Sequence, residues 1–198
     1  AAAIGANPLL ARVGSYHHDI GKLEKPFYFV ENQFGERNPH DFLEPALSAR
    51  IIARHTKDGY RLAKKLRLPE KVCDMTRMHH GTSLIKYFYH RAKEQSTDDD
   101  VDESQFRHVG VKPRFKEAAI LMIADTVEAA ARTLNDPSPS AIEALVNRLT
   151  QDKIDDGQLD ESDLTFDDVR IIKRLLVRTL NSMFHQRVQY PEDESRRS

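Results

Sequence analysis

The stretch Tyr16-His17-His18-Asp19-Ile20-Gly21-Lys22 decides how the rest of the chain is interpreted. Two imidazoles and a carboxylate stand side by side at the end of an apolar run, just before a glycine. Neutral imidazoles and carboxylates are ligands that iron, manganese and zinc accept. Because a carboxylate has two oxygens, Asp19 is able to bridge two ions that histidines hold on either side.

The helix that carries this stretch has clear start and stop signals. Asn7 followed by Pro8 is typical of an N-cap and a first helical position, and Gly21 is typical of a helix end. The sequence therefore predicts a helix over 8–20, with His18-Asp19 in its last turn. Neighbouring positions on a helix point about 100° apart, so His17 and His18 are not expected to bind the same ion.

A second pair of histidines, His79-His80, repeats this arrangement. A predicted helix with apolar residues at helical spacing precedes the pair, and Gly81 comes directly after it. A third candidate, His55, follows a predicted short helix over 45–53, and Thr56 is predicted to cap the next helix. The histidine candidates therefore lie at or between predicted helix ends.

The last candidate, Asp125, lies in the middle of the most apolar predicted helix, over 114–134. Burying an ionised carboxylate among apolar residues is costly unless it is paired or bound to a metal ion. The alternative is a salt bridge to Arg132, or an exposed polar stripe shared with Glu128. We favour the metal ligand, because unpaired charges avoid protein cores.

The other histidines have weaker claims. The stretch 22–44 lacks periodicity and carries several aromatic residues, which predicts a packed loop. His40 lies in this loop and is a candidate to face a substrate or to cap the next helix. The remaining histidines are interpreted as surface or core residues, namely His90, His108 and His185.

The bulk composition limits the function classes. The 198 residues suit one domain, and the net charge of -1 gives no support to a nucleic-acid polymer as partner. The single cysteine, Cys73, excludes a disulfide framework and a thiolate zinc cluster within the chain. No stretch is apolar enough to span a bilayer, since the most apolar run, 118–131, contains Asp125 and Glu128.

Helical periodicity continues through the rest of the chain, without convincing strand alternation. Further predicted helices cover 56–66, 82–95, 139–154 and 166–187. A capping box at Thr165-Phe166-Asp167-Asp168 opens the last of them. The acidic run over 98–103 is predicted to be solvated and mobile. The predicted fold class is all-α.

Taken in order along the chain, these motifs resemble the HD-domain metal-dependent phosphohydrolases, whose signature is carried here by His18-Asp19 and Gly21-Lys22. The wider match resembles one subfamily, the cytoplasmic HD domain of the bacterial seven-transmembrane HD proteins, the PgpH-type cyclic di-AMP phosphodiesterases. The further motifs that carry it are Glu31-Asn32-Gln33, Asn38-Pro39-His40-Asp41, His79-His80-Gly81-Thr82, Tyr87-Phe88-Tyr89, Ala124-Asp125-Thr126-Val127-Glu128-Ala129-Ala130 and Asp156-Gly157-Gln158-Leu159.

The resemblance implies an HD-domain helical bundle that holds two divalent metal ions, iron or manganese, and hydrolyses cyclic di-AMP to pApA. By position it implies six metal ligands, with Asp19 as the bridging one. They are His18, Asp19, His55, His79, His80 and Asp125. Lys22 is the candidate for a catalytic cation that offsets charge on the phosphate. A solvated lysine at a helix C-terminus is the alternative for that residue.

The resemblance covers nearly the whole chain, so we interpret 1–190 as one HD domain and 191–198 as a charged tail. Ala1-Ala2-Ala3-Ile4-Gly5 reads like the last turn of a helix, and a further family histidine lies upstream of this point. We therefore expect an N-terminally truncated domain that lacks one metal ligand. The resemblance also implies a cytoplasmic domain of a bacterial inner-membrane protein, with the membrane reached only through an upstream region. A homodimer is left open.

Other functions also stay open. The nearest alternative is an HD phosphohydrolase that acts on cyclic di-GMP or a guanosine polyphosphate. The Gly-Tyr-Pro stretch of the cyclic di-GMP relatives is absent, because Gly59-Tyr60 is followed by Arg61. A sensor that binds a nucleotide without hydrolysing it is a second alternative. A helical interaction domain with incidental histidines is a third, and metal content separates it from the others.

Overall fold

The computed structural model describes residues 1–33, 35, 37–96 and 101–184. Within these ranges the regular structure is helical, and the only extended pairing is an isolated bridge between Leu84 and Arg107. The predicted all-α fold is confirmed. The α-helices are α1 Pro8–His17, α2 Pro45–Lys65, α3 Glu70–Met78, α4 Lys86–Gln95, α5 Lys116–Ala131, α6 Pro139–Asp155 and α7 Phe166–Phe184.

Two helix starts follow their sequence signals closely. The side chain of Asn7 accepts the N–H groups of Leu9 and Leu10 at 3.0 and 3.1 Å. At α7 the N–H of Thr165 donates to Asp168 Oδ2 at 3.0 Å, and the N–H of Asp168 donates to Thr165 Oγ1 at 3.1 Å. These bonds satisfy backbone donors that a first helical turn leaves without partners.

The end of α1 differs from the prediction. The helix ends at His17, and a 3₁₀ helix over Ile20–Glu24 follows Asp19. Gly21 does not stop α1 but lies against α2, where an added Cβ would overlap the carbonyl oxygen of His55 and the backbone of Gly59. Glycine is needed here because two backbone segments approach each other closely.

The prediction of two helices around His55 is wrong. Helix α2 is continuous through this region, and Thr56 lies inside it with its hydroxyl donating to the carbonyl of Ala53 at 3.1 Å. A threonine that bonds to the preceding turn is tolerated within a helix. Helix α4 begins later than predicted, at Lys86. The residue before it, Ile85, donates its N–H to the carbonyl of Phe106 and not to a carbonyl of a preceding helical turn.

The aromatic loop is packed only in part, because Phe29 is buried while Phe27 is 68% exposed, and Phe34 lies outside the described residues. The ring of Phe29 lies 5.7 Å from that of His55, between ring centroids. His40 is buried, with its Nε2 2.9 Å from the carbonyl oxygen of Tyr28, while Arg91 of α4 donates to the carbonyl of His40 at 2.8 Å. His40 therefore ties the loop to the body of the domain, and it does not cap α2, whose N-cap residue is Glu44.

Helix α5 is the central element. It packs against α1, α3, α6 and α7. Its Ile123 and Val127 join the main core with Ile142 and Val146 of α6. Asp125 is half-buried on the side of α5 that faces His18, which follows α1, and His80, which follows α3. No helix within the described ranges has the length and apolar character that a membrane span requires.

Some predictions fall on residues outside the described ranges. His185, the predicted end of the last helix, the tail 191–198 and 98–100 of the acidic run all lie there. The described end of the acidic run is ordered, because Asp102 caps a 3₁₀ helix by accepting the N–H of Ser104 at 3.0 Å.

Candidate metal centre

The six predicted ligands lie together in the structure, although they come from four separate places in the chain. His18 and Asp19 follow α1, His55 lies in α2, and Asp125 lies in α5. The pair His79-His80 follows α3, and His79 is fully buried.

Asp19 lies at the middle of the cluster. Its Oδ1 is 3.4 Å from His55 Nε2 and 3.5 Å from His79 Nε2. Its Oδ2 is 3.2 Å from His18 Nε2. The two oxygens of one carboxylate therefore face two different sets of imidazoles, which is the geometry that a bridging carboxylate requires.

Asp125 closes the other side of the cluster. Its Oδ1 lies 3.5 Å from His18 Nε2, and its Oδ2 lies 3.8 Å from His80 Nδ1. Arg132 instead pairs with Glu128. The alternative interpretation of Asp125, as a salt-bridge partner of Arg132 or part of an exposed stripe, is therefore wrong.

Backbone carbonyls fix the orientation of three of the imidazoles. The Nδ1 atoms of His18, His55 and His79 lie 2.8, 2.6 and 2.9 Å from the carbonyl oxygens three residues earlier. A carbonyl only accepts hydrogen bonds, so each Nδ1 carries the proton and each Nε2 presents a lone pair when the ring is neutral. The same arrangement orients histidine ligands in metalloproteins.

The carboxylates make the His18 side of the cluster strongly negative. Burial lowers the pKa of His18, but the close contacts with the carboxylates of Asp125 and Asp19, together with their charge, outweigh it and raise that pKa to about 10. Burial raises the pKa of Asp19, whereas His18, His79 and Lys22 lower it well below its usual range. A site that attracts a proton this strongly also attracts a metal cation.

The other side of the cluster favours neutral imidazoles. Burial, together with the charge of His79, lowers the pKa of His55 to about 3 and that of His80 well below its usual value. Neutral imidazole is the form that binds a metal ion. The two sides therefore offer complementary ligand chemistry, carboxylate-rich at His18 and imidazole-rich at His55.

Two atoms of the cluster lack hydrogen-bond partners among the described residues. They are His18 Nε2 and Asp19 Oδ1, and both are buried. Buried polar atoms usually have a partner, so an orphaned pair at the centre of a ligand set needs an explanation. Two overlapping groups of ligand atoms, each able to hold one cation, supply it: His55, His79 and His80, and His18, Asp19 and His79.

Comparison with known proteins shows the family to which the chain belongs. The sequence pattern of the HD domain family matches residues 1–130. The chain belongs to the HD domain family. This HD domain is 50% identical over 190 residues to the cyclic-di-AMP phosphodiesterase PgpH of Bacillus subtilis. It is 48% identical over 191 residues to the protein of the same name from Listeria monocytogenes. These matches cover 96% of the chain but only 26% of each relative's length.

Solved structures agree with the sequence relatives. The crystal structure of the L. monocytogenes PgpH HD domain superposes with a TM-score of 0.85 at 45% identity, covering 92% of this chain and 85% of that one. The structure of that domain in complex with cyclic-di-AMP gives a TM-score of 0.87 at 48% identity, covering 94% and 85%. At this level of identity the predicted HD-domain helical bundle is confirmed.

Lys22 lies at the edge of the centre of this HD domain. Its Nζ is 2.7 Å from Asp19 Oδ2 and 2.5 Å from Glu31 Oε1, and its side chain is 21% exposed. The alternative of a freely solvated lysine at a helix end is therefore wrong. Glu31 belongs to the loop motif that carried part of the family resemblance, and its contact with Lys22 connects that loop to the site.

The late motif Asp156-Gly157-Gln158-Leu159 fixes the turn after His79-His80. Gln158 is 1% exposed, and its Oε1 accepts the N–H of Thr82 at 2.9 Å. Its Nε2 donates to Thr82 Oγ1 and to Asp156 Oδ2, both at 3.0 Å. Gly81 has φ +53°, and an added Cβ would overlap Gln158. The motif therefore supports the histidine pair from a distant part of the chain.

His108 is a site neighbour that sequence reasoning missed. It is buried, and its ring stacks on that of His80 with centroids 4.3 Å apart. Burial and the charges of His55 and His79 lower its pKa well below the usual value. A lone histidine in an aperiodic stretch gives no pattern to detect, and only the fold places it here.

Proposed function

We propose that this HD domain is a metal-dependent phosphodiesterase that hydrolyses cyclic di-AMP to pApA. The observation that carries the proposal is the position of Asp19, whose Oδ1 faces His55 and His79 while its Oδ2 faces His18. Two relatives of the chain are named cyclic-di-AMP phosphodiesterase PgpH, and a related HD domain has been solved in complex with cyclic-di-AMP. Both facts support the choice of substrate.

The proposed site would hold two divalent ions, and Asp19 is the residue whose two oxygens would serve both. His55, His79 and His80 would hold one ion, and His18, Asp19 and His79, with Asp125 beside His18, would hold the other. A mixed set of imidazoles and carboxylates suits iron or manganese, whereas a soft thiolate site would favour other metals. Such a pair of ions, when bound, lowers the pKa of a coordinated water and offsets charge on the phosphoryl oxygens.

The protein's own contribution is to hold these groups in place before the substrate arrives. The carbonyls behind His18, His55 and His79 keep every Nε2 aimed inward. Lys22 holds an ammonium beside Asp19, where it is placed to donate to a phosphoryl oxygen as negative charge develops there. Lys22 is therefore our candidate for the catalytic cation.

The setting of the domain is part of the proposal. From the resemblance we infer a cytoplasmic domain of a bacterial inner-membrane protein, which reaches the membrane only through another part of that protein. Its partner is a cyclic dinucleotide and not a nucleic-acid polymer. Sedimentation of the purified domain decides whether it forms a homodimer.

The proposal is tested by product analysis. The purified chain, first stripped with a chelator, is supplied with Mn²⁺ or Fe²⁺ and incubated with cyclic di-AMP, cyclic di-GMP or a guanosine tetraphosphate. Chromatography then resolves the products. We expect pApA from cyclic di-AMP in the metal-loaded sample alone. Preferential turnover of another nucleotide would show that this nucleotide, and not cyclic di-AMP, is the substrate. Tight binding without turnover would show that the domain is a sensor.

A further inference from the structure

One pocket of the domain is lined by residues that are close in the chain to two candidate ligands, and none of the six ligands lines it. Its volume is about 490 Å³, within the range of about 300–1,000 Å³ that is common for small-molecule sites. It opens between α5, α6 and the turn after α3, and its lining includes Ser83, Thr126 and Lys153. Ser83 comes shortly after His80, and Thr126 is next to Asp125. The pocket is near the centre, because the charge of Asp125 acts on the pKa of Lys153 and the charge of Lys153 acts on that of His80.

Lys153 is the unusual residue of this pocket. Its ammonium donates to Ser83 Oγ at 2.7 Å and forms no ion pair with a described residue. The other cations of the lining are neutralised, because Lys86 lies 2.6 Å from a carboxylate oxygen of Asp152 and Arg107 lies 2.8 Å from one of Asp156. Within the described ranges, Lys153 is the pocket's cation without a carboxylate partner.

The surroundings of the amine compensate its charge only in part. Lys153 is half-buried, and a lysine ammonium has three N–H donors, of which one is used here. Burial lowers the pKa of Lys153 to about 8, although Asp156 and Asp125 act in the opposite direction. An ammonium that is partly removed from water, with donors to spare, is a binding site for an anion.

The proposed substrate supplies an anion at the required place. A cyclic dinucleotide carries two phosphodiester groups on one closed ring, so the second phosphate stays at a short, fixed distance from the first. When one phosphate lies at the metal centre, the other must lie beside it. Lys153 is the described cation that faces this neighbouring space and still has free donors.

We propose that Lys153 binds the phosphate of the cyclic dinucleotide that is not being cleaved, with Ser83 holding the amine in position. The inference rests on the proposed function. It makes Lys153 a specificity residue, because the contact is available only to a substrate with two phosphates. A simple phosphodiester reaches the metal centre without using it.

Two substrates distinguish binding of the second phosphate by Lys153 from a general effect of Lys153 on catalysis. Steady-state kinetics of the metal-loaded chain are measured with cyclic di-AMP and with bis(4-nitrophenyl) phosphate, which has a single phosphate. For Lys153→Met we expect KM for cyclic di-AMP to rise about 10- to 100-fold, as for the loss of one charged hydrogen bond. Turnover of bis(4-nitrophenyl) phosphate should stay within about twofold of the wild type, because that substrate makes no such contact. Lys153→Arg should recover part of the loss.

The matched control is Lys57→Met, the same change at an exposed residue of α2. It should behave as the wild type toward both substrates. Equal effects of Lys153→Met on both substrates, or none on either, would overturn the inference. Thermal unfolding of each variant is recorded, and Lys153→Gln, which keeps a donor to Ser83, replaces the methionine variant if that one does not fold.

A binding measurement keeps the inference separate from the proposed function. Titration calorimetry of the bis-phosphorothioate analogue of cyclic di-AMP, which resists hydrolysis, into the metal-loaded chain measures binding without turnover, and Lys153→Met should weaken this binding by a similar factor. A wild type that binds cyclic di-AMP through Lys153 but hydrolyses neither substrate refutes the phosphodiesterase alone. A wild type that hydrolyses cyclic di-AMP, with binding unchanged by Lys153→Met, refutes the role of Lys153 alone.

Discussion

The Nε2 atoms of His55 and His79 lie 3.0 Å apart. Each ring already uses its Nδ1–H on a backbone carbonyl, so in the neutral state two lone pairs face each other across this gap. Two buried acceptors in contact are unfavourable unless a cation or a proton lies with them. The pair therefore indicates that the fold is adapted to a bound metal ion.

Metal binding should stabilise the domain. Adding Mn²⁺ to chelator-treated protein at about 100 times its Kd should contribute about 2.7 kcal/mol and raise the Tm by about 5–10 °C. His79→Gln should remove most of this increase, because His79 belongs to both groups of ligand atoms. His17→Gln is the control: its Nδ1 contacts the carbonyl of Val13, outside the cluster. A similar increase in wild type and His79→Gln would contradict the assignment.

Gly21→Ala should damage the centre through the backbone. The new Cβ would collide with the main chain of α2 at His55 and Gly59, which has no flexible end to move away. We expect a loss of about 1–3 kcal/mol of unfolding free energy, as for an overpacked core, together with weaker Mn²⁺ binding.

Gly14→Ala is the matched comparison for that variant. Its Cβ would meet the end of the Met75 side chain, which is able to change rotamer, and alanine is favoured over glycine inside a helix. Urea unfolding compares the two. Equal losses at both positions would show that the close contact at Gly21 is not special.

Local patterns in the sequence were sufficient to predict the fold class and to identify most of the candidate ligands that the structure brings together, whereas His55 was added by the family resemblance. His18-Asp19 and His79-His80 stand next to glycines, and Asp125 interrupts an apolar helix, so each signal is visible in a short window. The true role of Gly21 was not visible in the same way. A glycine that ends a helix and one that allows two backbones to touch look identical until the partner segment is known.

Gln158→Ala should loosen the turn that carries the histidine pair. The change leaves the N–H of Thr82 without its acceptor, which costs about 1–3 kcal/mol for a buried donor. Urea unfolding measures the loss, and Mn²⁺ affinity should fall with it. Gln151→Ala removes an exposed amide that bonds only to Asp155, and it should change stability by less than about 0.5 kcal/mol. An unchanged Mn²⁺ affinity in Gln158→Ala would show that the motif does not support metal binding at the centre.

Lys22→Met should lower kcat with metal content intact. Loss of a cation that stabilises transition-state charge reduces kcat by about 100- to 1,000-fold. Lys22→Arg should retain part of the rate, and the exposed Lys25→Met should retain all of it. The kcat and the metal content of each variant are measured on the same samples, the latter by elemental analysis. A Lys22→Met variant with wild-type kcat would leave Lys22 as a structural partner of Asp19 and Glu31.

Stability at alkaline pH should report the burial of Lys153. Its folded-state pKa of about 8 is lower than the ordinary lysine value of about 10.4, so the unfolded chain holds more protons between these values. Wild-type stability should therefore rise with pH in this window relative to Lys153→Met. The titratable neighbours of the amine are Asp125, Asp152, Asp156, Lys86, His80 and His108. Parallel urea midpoints for the two proteins from pH 7.5 to 9.5 would contradict the burial.

His108 and Lys153 mark the limit of what the sequence reveals. Each is a single polar residue without a motif around it, and each reaches the centre through long-range packing. His108 stacks on His80 from a segment about thirty residues later, and Lys153 reaches Ser83 from α6. Such neighbours depend on how helices are arranged in space, which local periodicity does not encode.

Elemental analysis of the purified, reconstituted chain tests the central claim most directly. The account predicts about two ions of iron or manganese per chain, as in other two-metal phosphodiester sites, and a loss of metal in Asp19→Asn because that carboxylate is shared. A protein that remains folded and takes up no metal, or one whose metal content does not depend on Asp19, would contradict it.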